Sequence, residues 1–380
     1  MKVKGNVLII IITILTIISF YNNPISSAIY NYYIYIYIAF VFIALIFKLI
    51  TKNFKLSKNE LIIVTILFIH IILAIFLNNN TNGGFVTIIG TIILIYFFKD
   101  ITYTKLTYKI LLISFLLLGL YLTYISKNVI TDRIKYINPN LIGQLLLLST
   151  VIINTLKTKL NIKEIHIIII NFIFIYGIFT CQSRASLVVT IIYLIIIYIP
   201  ILRNILRNKK ARKICYITII LITLAIPYIY VYLYNNNITL QIFSFSDKKF
   251  FSGRQQIWIY LINHFKNFGD LFWGIGTNTN MLEVAKNANP HNVILFLIMN
   301  TGIVGMVMYL LYIYNIIFTI KEENYCTENV IGILALLLCG AFETIIVFAP
   351  INVFMCILIG MNFTKKSNKE EKQEQYIKKY

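Results

Sequence analysis

"ICYITIILITLAIPYIYVYLY", residues 214–234, is a run of 21 residues without a charged side chain. Similar runs recur along almost the whole chain of 380 residues, of which 59% are hydrophobic and only 13% are charged. A run of ~20 apolar residues matches the thickness of the bilayer's hydrocarbon core, where a helix satisfies all of its own backbone hydrogen bonds. A soluble domain would need more charge to cover its surface. The sequence therefore predicts an all-α, polytopic membrane protein, with residues 1–380 in a single integral membrane domain.

The apolar runs predict about 12 transmembrane helices. The predicted spans are residues 6–21, 30–50, 60–77, 84–98, 108–126, 140–156, 164–180, 184–202, 214–234, 291–319 (broken), 328–342 and 345–363. Most of the 34 lysine and arginine residues fall in the segments that would be cytoplasmic if the N-terminus were inside. The densest group is six basic residues within 203–213. Both termini are therefore predicted to be cytoplasmic, with residues 364–380 as a charged tail.

This charge asymmetry also explains the net charge of +20, which in a soluble protein would indicate binding to nucleic acid. No nucleic-acid partner is predicted; the predicted environment is a lipid bilayer.

One long segment, residues 235–290, is predicted to lie outside the cell membrane between the ninth and tenth spans. It exceeds the length of an ordinary connection, and its aromatic residues argue against disorder. Within it, "RQQIWIYLINHF" (254–265) has the pattern of an amphipathic helix. "LFWGIGTNTN" (271–280) is a glycine-rich turn without the spacing of a dinucleotide-binding loop.

The next span opens with "NPHN", residues 289–292. We predict Asn289 as the helix N-cap and Pro290 as the first helical residue, with His291 in the first turn. The positive end of the helix dipole disfavours imidazolium, so a neutral His291 could act as a general base. The alternative is an interfacial histidine that only caps the helix. Gly302 and Gly305 would allow a break in this span or the close approach of another helix.

Two arginines on the predicted outer face could bind phosphate. Arg184, in "CQSRASLVV", follows Gln182 and Ser183 in the short turn between the seventh and eighth spans. Arg254 opens the amphipathic helix of the long loop. Guanidinium offers paired donors to phosphate, and a helix start favours anions. The alternatives are a snorkelling side chain for Arg184 and a solvated basic face for Arg254.

The acidic residues of the predicted outer face are scattered, so neither a metal site nor a cofactor is predicted. They are Asp132, Asp247, Asp270, Glu283 and Glu343. His70 and His166 are the only ionisable residues well inside the apolar runs, fewer than a transport path usually needs at the midplane. We interpret His70 as a hydrogen-bonded residue of the bundle.

Four motifs in order, "SRASL", "SGRQQIW", "WGIGTNT" and "HN" followed nine residues later by "GIVG", resemble the O-antigen ligase and polysaccharide polymerase family. The resemblance covers residues 182–314. Two features depart from it: no proline precedes "LFWGIG", and the leucine after Arg184 is three residues on, at Leu187, where many ligases have it at four.

The resemblance implies a glycosyltransferase of the bacterial inner membrane that works on its outer face. The donor would be a glycan linked to undecaprenyl diphosphate, and the acceptor a sugar hydroxyl or a lipid-linked glycan. It implies His291 as the base, Arg184 and Arg254 as diphosphate ligands, and Gln182, Ser183, Asn292, Gly302 and Gly305 as supporting residues. Ligase and polymerase remain alternatives, and so does a flippase that moves lipid-linked glycans without catalysis.

Overall fold

The computed structural model describes residues 6–19, 32–51, 56–78, 84–127, 138–238, 253–276, 289–320 and 326–363. All regular secondary structure in these ranges is helical, as predicted. The helices are α1 (Asn6–Ser19), α2 (Tyr33–Thr51), α3 (Lys58–Asn78), α4 (Gly84–Phe98), α5 (Lys105–Ser126), α6 (Pro139–Leu160), α7 (Glu164–Thr180), α8 (Arg184–Tyr198), α9 (Pro200–Arg207), α10 (Lys209–Asn235), α11 (Arg254–His264), α12 (Phe268–Trp273), α13 (Val293–Phe318), α14 (Thr327–Cys339) and α15 (Ala349–Met361).

Every predicted span contains a helix, but the helices differ in length. In the part of the chain that the structure describes, six are long and apolar enough to cross a membrane, and α8 with α9 makes a seventh if this bent pair is one span. The six are α2, α3, α5, α6, α10 and α13. The apolar helices α4, α7, α14 and α15 have 13–17 residues, or ~20–26 Å at 1.5 Å per residue, against a hydrocarbon core of ~30 Å. The count of about 12 and the side of the long loop therefore stay predictions.

Some helices form a buried centre, and others surround it. Helices α6, α14 and α15 are buried along almost their whole length, and so is most of α13. Helices α2, α3 and α10 instead expose large apolar side chains such as Ile50, Phe76 and Leu221. Such side chains would be unfavourable in water, but they suit a surface that faces lipid.

Helix α13 is broken in the middle, where the glycine pair predicted a break. Gly302 has φ +63° and ψ −179°, outside the helical region. A Cβ there would lie 1.9 Å from the carbonyl oxygen of Phe272, so glycine is required for this close approach to α12.

The break exposes backbone carbonyls, and two segments bind them. The backbone N–H groups of Ile275 and Gly276 donate to the carbonyl of Met299 at 2.9 and 3.1 Å. His70 Nε2 lies 2.9 Å from the carbonyl oxygen of Thr301, and its ring stacks on Trp273. His70 is thus a hydrogen-bonded residue of the bundle, as we interpreted it.

Candidate functional site

A single carboxylate brings two of the predicted site residues together. Oε1 of Glu343 forms an ion pair with Arg254 Nη2, and Oε2 lies 3.2 Å from Nδ1 of His291. Glu343 is only 5% exposed, whereas Arg254 is 16% and His291 24% exposed. The acid therefore lies beneath the two basic groups, which keep access to the outside.

His291 lies outside the helix, so the prediction that placed it in the first turn is wrong. Asn292 is the N-cap of α13, and its side chain accepts a hydrogen bond from Leu295 N–H. His291 itself has φ +48°, a left-handed conformation that leaves it in the preceding turn. Asn289 stabilises this turn: its Oδ1 accepts hydrogen bonds from His291 N–H at 2.9 Å and Thr344 Oγ1 at 3.1 Å. The sequence missed this because the Asn-Pro start and the Asn292 start both fit capping preferences.

Asn292 anchors the turn to two other elements. Its side-chain amide donates to the carbonyl oxygens of Thr223 in α10 and of Ala341, both at 2.9 Å. Val293 N–H donates to the carbonyl of Gly340 at 2.8 Å. Because Ala341 and Gly340 lie only two and three residues before Glu343 in the chain, these bonds hold the His291 turn in register with the carboxylate.

Arg254 is placed by the packing of α11. The helix begins with Gly253 as its N-cap, at φ +87°, and Arg254 is its first residue. Trp258, one turn on, is fully buried, and its Nε1–H donates to the carbonyl of Pro290 at 2.7 Å. The Tyr230 ring of α10 packs edge-on against Trp258. Helix α11 is therefore fixed against both α10 and the turn that carries His291.

Arg184 borders this pair. It is the first residue of α8 and is partly exposed. Its guanidinium lies within electrostatic range of the Arg254 guanidinium. The two arginine side chains are thus close enough for their charges to repel each other. Arg254 and His291 make the direct contacts to Glu343.

The remaining predicted residues have structural surroundings. Ser183 is buried, and its hydroxyl donates to Ser186 Oγ at 3.0 Å. Gln182 has φ +55° in the tight turn between α7 and α8. Gly302 follows Asn292 by ten residues, which is ~15 Å along a helix, so it shapes the contact with α12. Gly305 leaves no room for a Cβ beside the Thr301 side chain.

Glu343 is the functional candidate that sequence reasoning counted only as one of several scattered acids. A signal for it did exist: it is the only charged residue between Asn329 and Phe363, in a segment that is otherwise apolar or neutral. An ionisable residue in such surroundings needs a partner, because an unpaired buried charge is expensive. Among the described residues, no group of three or more His, Cys, Asp and Glu side chains could hold a metal ion.

The arrangement can accept a proton and bind an anion at one place. A carboxylate on Nδ1 of a histidine favours the tautomer whose other ring nitrogen, Nε2, can accept a proton. Two guanidinium groups with overlapping fields favour a ligand with more than one negative charge. The fold and this site together define a multi-pass helical membrane protein with an ionic site where α8, α11 and α13 begin.

Residues 169–310 match the family model described as O-Antigen ligase. The resemblance to the O-antigen ligase and polymerase family is thereby confirmed for this region of the chain. It contains Arg184, Arg254 and His291, and it ends before Glu343. No curated protein and no solved structure matches the chain.

Proposed function

We propose that the protein is a membrane glycosyltransferase of the ligase or polymerase type. It would transfer a glycan from undecaprenyl diphosphate to a sugar hydroxyl on the extracytoplasmic face during synthesis of a surface polysaccharide such as O-antigen, capsule or exopolysaccharide. The observation that carries this proposal is the carboxylate of Glu343, which contacts both the candidate base His291 and the candidate phosphate ligand Arg254.

His291 acts as the general base. Glu343 Oε2 accepts the hydrogen bond of Nδ1–H, which fixes the tautomer and leaves the lone pair of Nε2 for the acceptor hydroxyl. The acceptor oxygen attacks the anomeric carbon of the donor sugar as its proton passes to Nε2. The bond between that carbon and the diphosphate oxygen breaks, and the lipid diphosphate leaves.

Arg254 and Arg184 hold the diphosphate. Charge builds up on this leaving group in the transition state, and positioned guanidinium groups stabilise it without a metal. Arg254 gives one nitrogen to Glu343, so its other N–H groups remain for phosphate. Glu343 also offsets part of the repulsion between the two arginines while the site is empty.

The test is transfer by purified protein in vesicles that contain the lipid-linked donor of its own pathway. His291→Ala should abolish transfer, because losing a general base costs ~10²–10⁴ in rate. The matched control is His264→Ala: His264 also contacts an acid, Asp270 at 3.2 Å, but it does not contact Glu343.

The control should transfer at the rate of the unaltered protein. Near-normal transfer by His291→Ala would remove this residue from the mechanism. Movement of the donor across the bilayer without any new glycosidic bond would instead identify a flippase. Products with many repeats indicate a polymerase, whereas a single transfer to a different acceptor indicates a ligase.

A further inference from the structure

A second candidate site lies at the other end of α8, away from Arg184. A groove of about 780 Å³ opens between α7 and α8, and α9 lines one end of it. Most of its wall is apolar, with Ile168, Phe172 and Ile175 from α7 and Ile191, Leu194 and Ile195 from α8. From Glu164 to Ile175, helix α7 rises ~16 Å, about half of a ~30 Å hydrocarbon core. The groove is therefore about as long as one leaflet is thick.

Helix α9 has the composition of a helix that lies in a membrane surface. Its axis is bent by 87° from α8 at Pro200. Ile201 and Ile205, four residues apart, are 72% and 53% exposed. Arg203 and Arg207, also four apart, lie on the opposite face and line the groove. An amphipathic helix perpendicular to a spanning helix places its apolar face among acyl chains and its basic face among headgroups.

The acidic residues at this end of the groove are already paired with basic ones, so an anion could bind to the remaining positive charge. Glu164 is held by Lys157 at 2.9 Å, and Glu328 by Arg203. Nη2 of Arg203 forms the ion pair with Glu328. The buried Nε of Arg203 has no hydrogen-bond partner among the described residues. Arg207 is exposed beside it.

Nearby basic residues add to the positive field without lining the groove. Arg212 donates to the carbonyls of Leu206 and Arg207 and so fixes the end of α9. Lys209 and Lys210 follow α9 directly and are exposed. The acids at this end are thus paired, and the excess charge is positive.

We propose that this groove binds an anionic phospholipid. The phosphate lies on Arg203 and Arg207, and one acyl chain fills the apolar channel between α7 and α8. The leaflet is the one that the lysine and arginine distribution predicts to be cytoplasmic, where anionic lipids attract basic clusters. The length of the apolar wall selects a lipid over a free phosphate, and the positive charge at the polar end selects an anionic headgroup over a zwitterionic one. The proposal does not depend on the proposed transfer reaction.

A tryptophan in the groove can report the lipid next to it. Ile195→Trp places the reporter on the groove wall, and Ile191→Trp provides a second position. The protein is reconstituted in phosphatidylcholine vesicles that contain either brominated phosphatidylglycerol or brominated phosphatidylcholine, whose bromine atoms quench tryptophan. The fluorescence of the natural Trp258 and Trp273 is measured in the parent chain and subtracted. Ile192→Trp is the control, because Ile192 is 38% exposed on the same helix but does not line the groove.

We expect brominated phosphatidylglycerol to quench the tryptophan at position 195 more strongly than brominated phosphatidylcholine does. The tryptophan at position 192 should show no such difference. Arg207→Gln in the Ile195→Trp background should lower the preference about fivefold, as for the loss of one basic contact to a headgroup. Lys210→Gln removes the same charge outside the groove and should lower the preference much less. Equal quenching by both lipids at 195, or equal loss in the Arg207 and Lys210 variants, would overturn the proposal. No preference for phosphatidylglycerol at 195, together with thermal stabilisation of the protein by inorganic phosphate, would overturn it in favour of a free-phosphate site.

Discussion

Oε2 of Glu343 lies 3.2 Å from Nδ1 of His291, although the two residues are 52 positions apart in the chain. Glu343 is 5% exposed and follows the end of α14, while His291 precedes the start of α13. A carboxylate this deeply buried is costly unless it is paired, and removing one partner of a buried pair typically costs ~3–5 kcal/mol. Arg254 provides the charged partner. The position of the imidazole is therefore coupled to the ion pair between Glu343 and Arg254.

Glu343→Gln keeps the size of the side chain but removes its charge. Without the carboxylate, the tautomer of His291 is no longer fixed and Arg254 is no longer held. We expect glycan transfer to fall at least tenfold, approaching the ~10²–10⁴ that loss of a general base costs. The measurement is transfer rate by purified protein in vesicles, with thermal unfolding followed in parallel.

Glu328→Gln is the matched control for that variant. Glu328 is also a buried glutamate that pairs with an arginine, Arg203, but it lies at the opposite end of α14. Both variants lose a buried ion pair and should lose similar thermal stability, whereas only Glu343→Gln should lose activity. Equal losses of activity would mean that Glu343 has only a structural role.

The elements that sequence predicted best are those with local signals. Apolar runs of helical length predicted the helices of the bundle, and "RQQIWIYLINHF" predicted α11. Gly302 predicted the break because only glycine tolerates that backbone conformation and that contact with Phe272. Glu343 could not be assigned to the site in the same way. Its partners are Arg254 and His291, 89 and 52 residues away, and only the packing of α11 and α14 against α10 brings them together.

Arg254→Lys and Arg184→Lys should each keep the charge and lose most of the activity. Lysine lacks the planar, paired donors that guanidinium offers to a diphosphate. We expect a higher KM for the lipid-linked donor in both variants, measured over a range of donor concentrations in vesicles. Arg203→Lys makes the same exchange in a buried ion pair away from the site and should leave KM unchanged. Full activity of both lysine variants would show that charge alone is needed.

Gly302→Ala should destabilise the protein. At φ +63° and ψ −179° a non-glycine residue costs ~1–3 kcal/mol in backbone strain, and its Cβ would also collide with the Phe272 carbonyl. The expected result is a lower unfolding temperature in detergent. Gly269→Ala in α12 is the control, because its Cβ would meet nothing closer than Asn267 Oδ1 at 3.4 Å. Equal stability of the two variants would mean that the kink and the packing of α12 on it can relax.

The orientation of the whole site can be tested by reporter fusions. Helix α8 separates Arg184, at one end, from the dense basic segment at the other. Arg184 begins this helix of 15 residues, or ~22 Å, and the basic segment 203–213 follows it. Basic segments stay on the cytoplasmic side, so Arg184, and with it Arg254 and His291, should face outward. A reporter that is active only outside the cytoplasm should be active when fused near residue 278 and silent when fused near Lys210. The reverse pattern would place His291 and Glu343 on the cytoplasmic side. There they could not meet a donor on the outer leaflet, and the proposed reaction would be wrong even if every contact within the site were right.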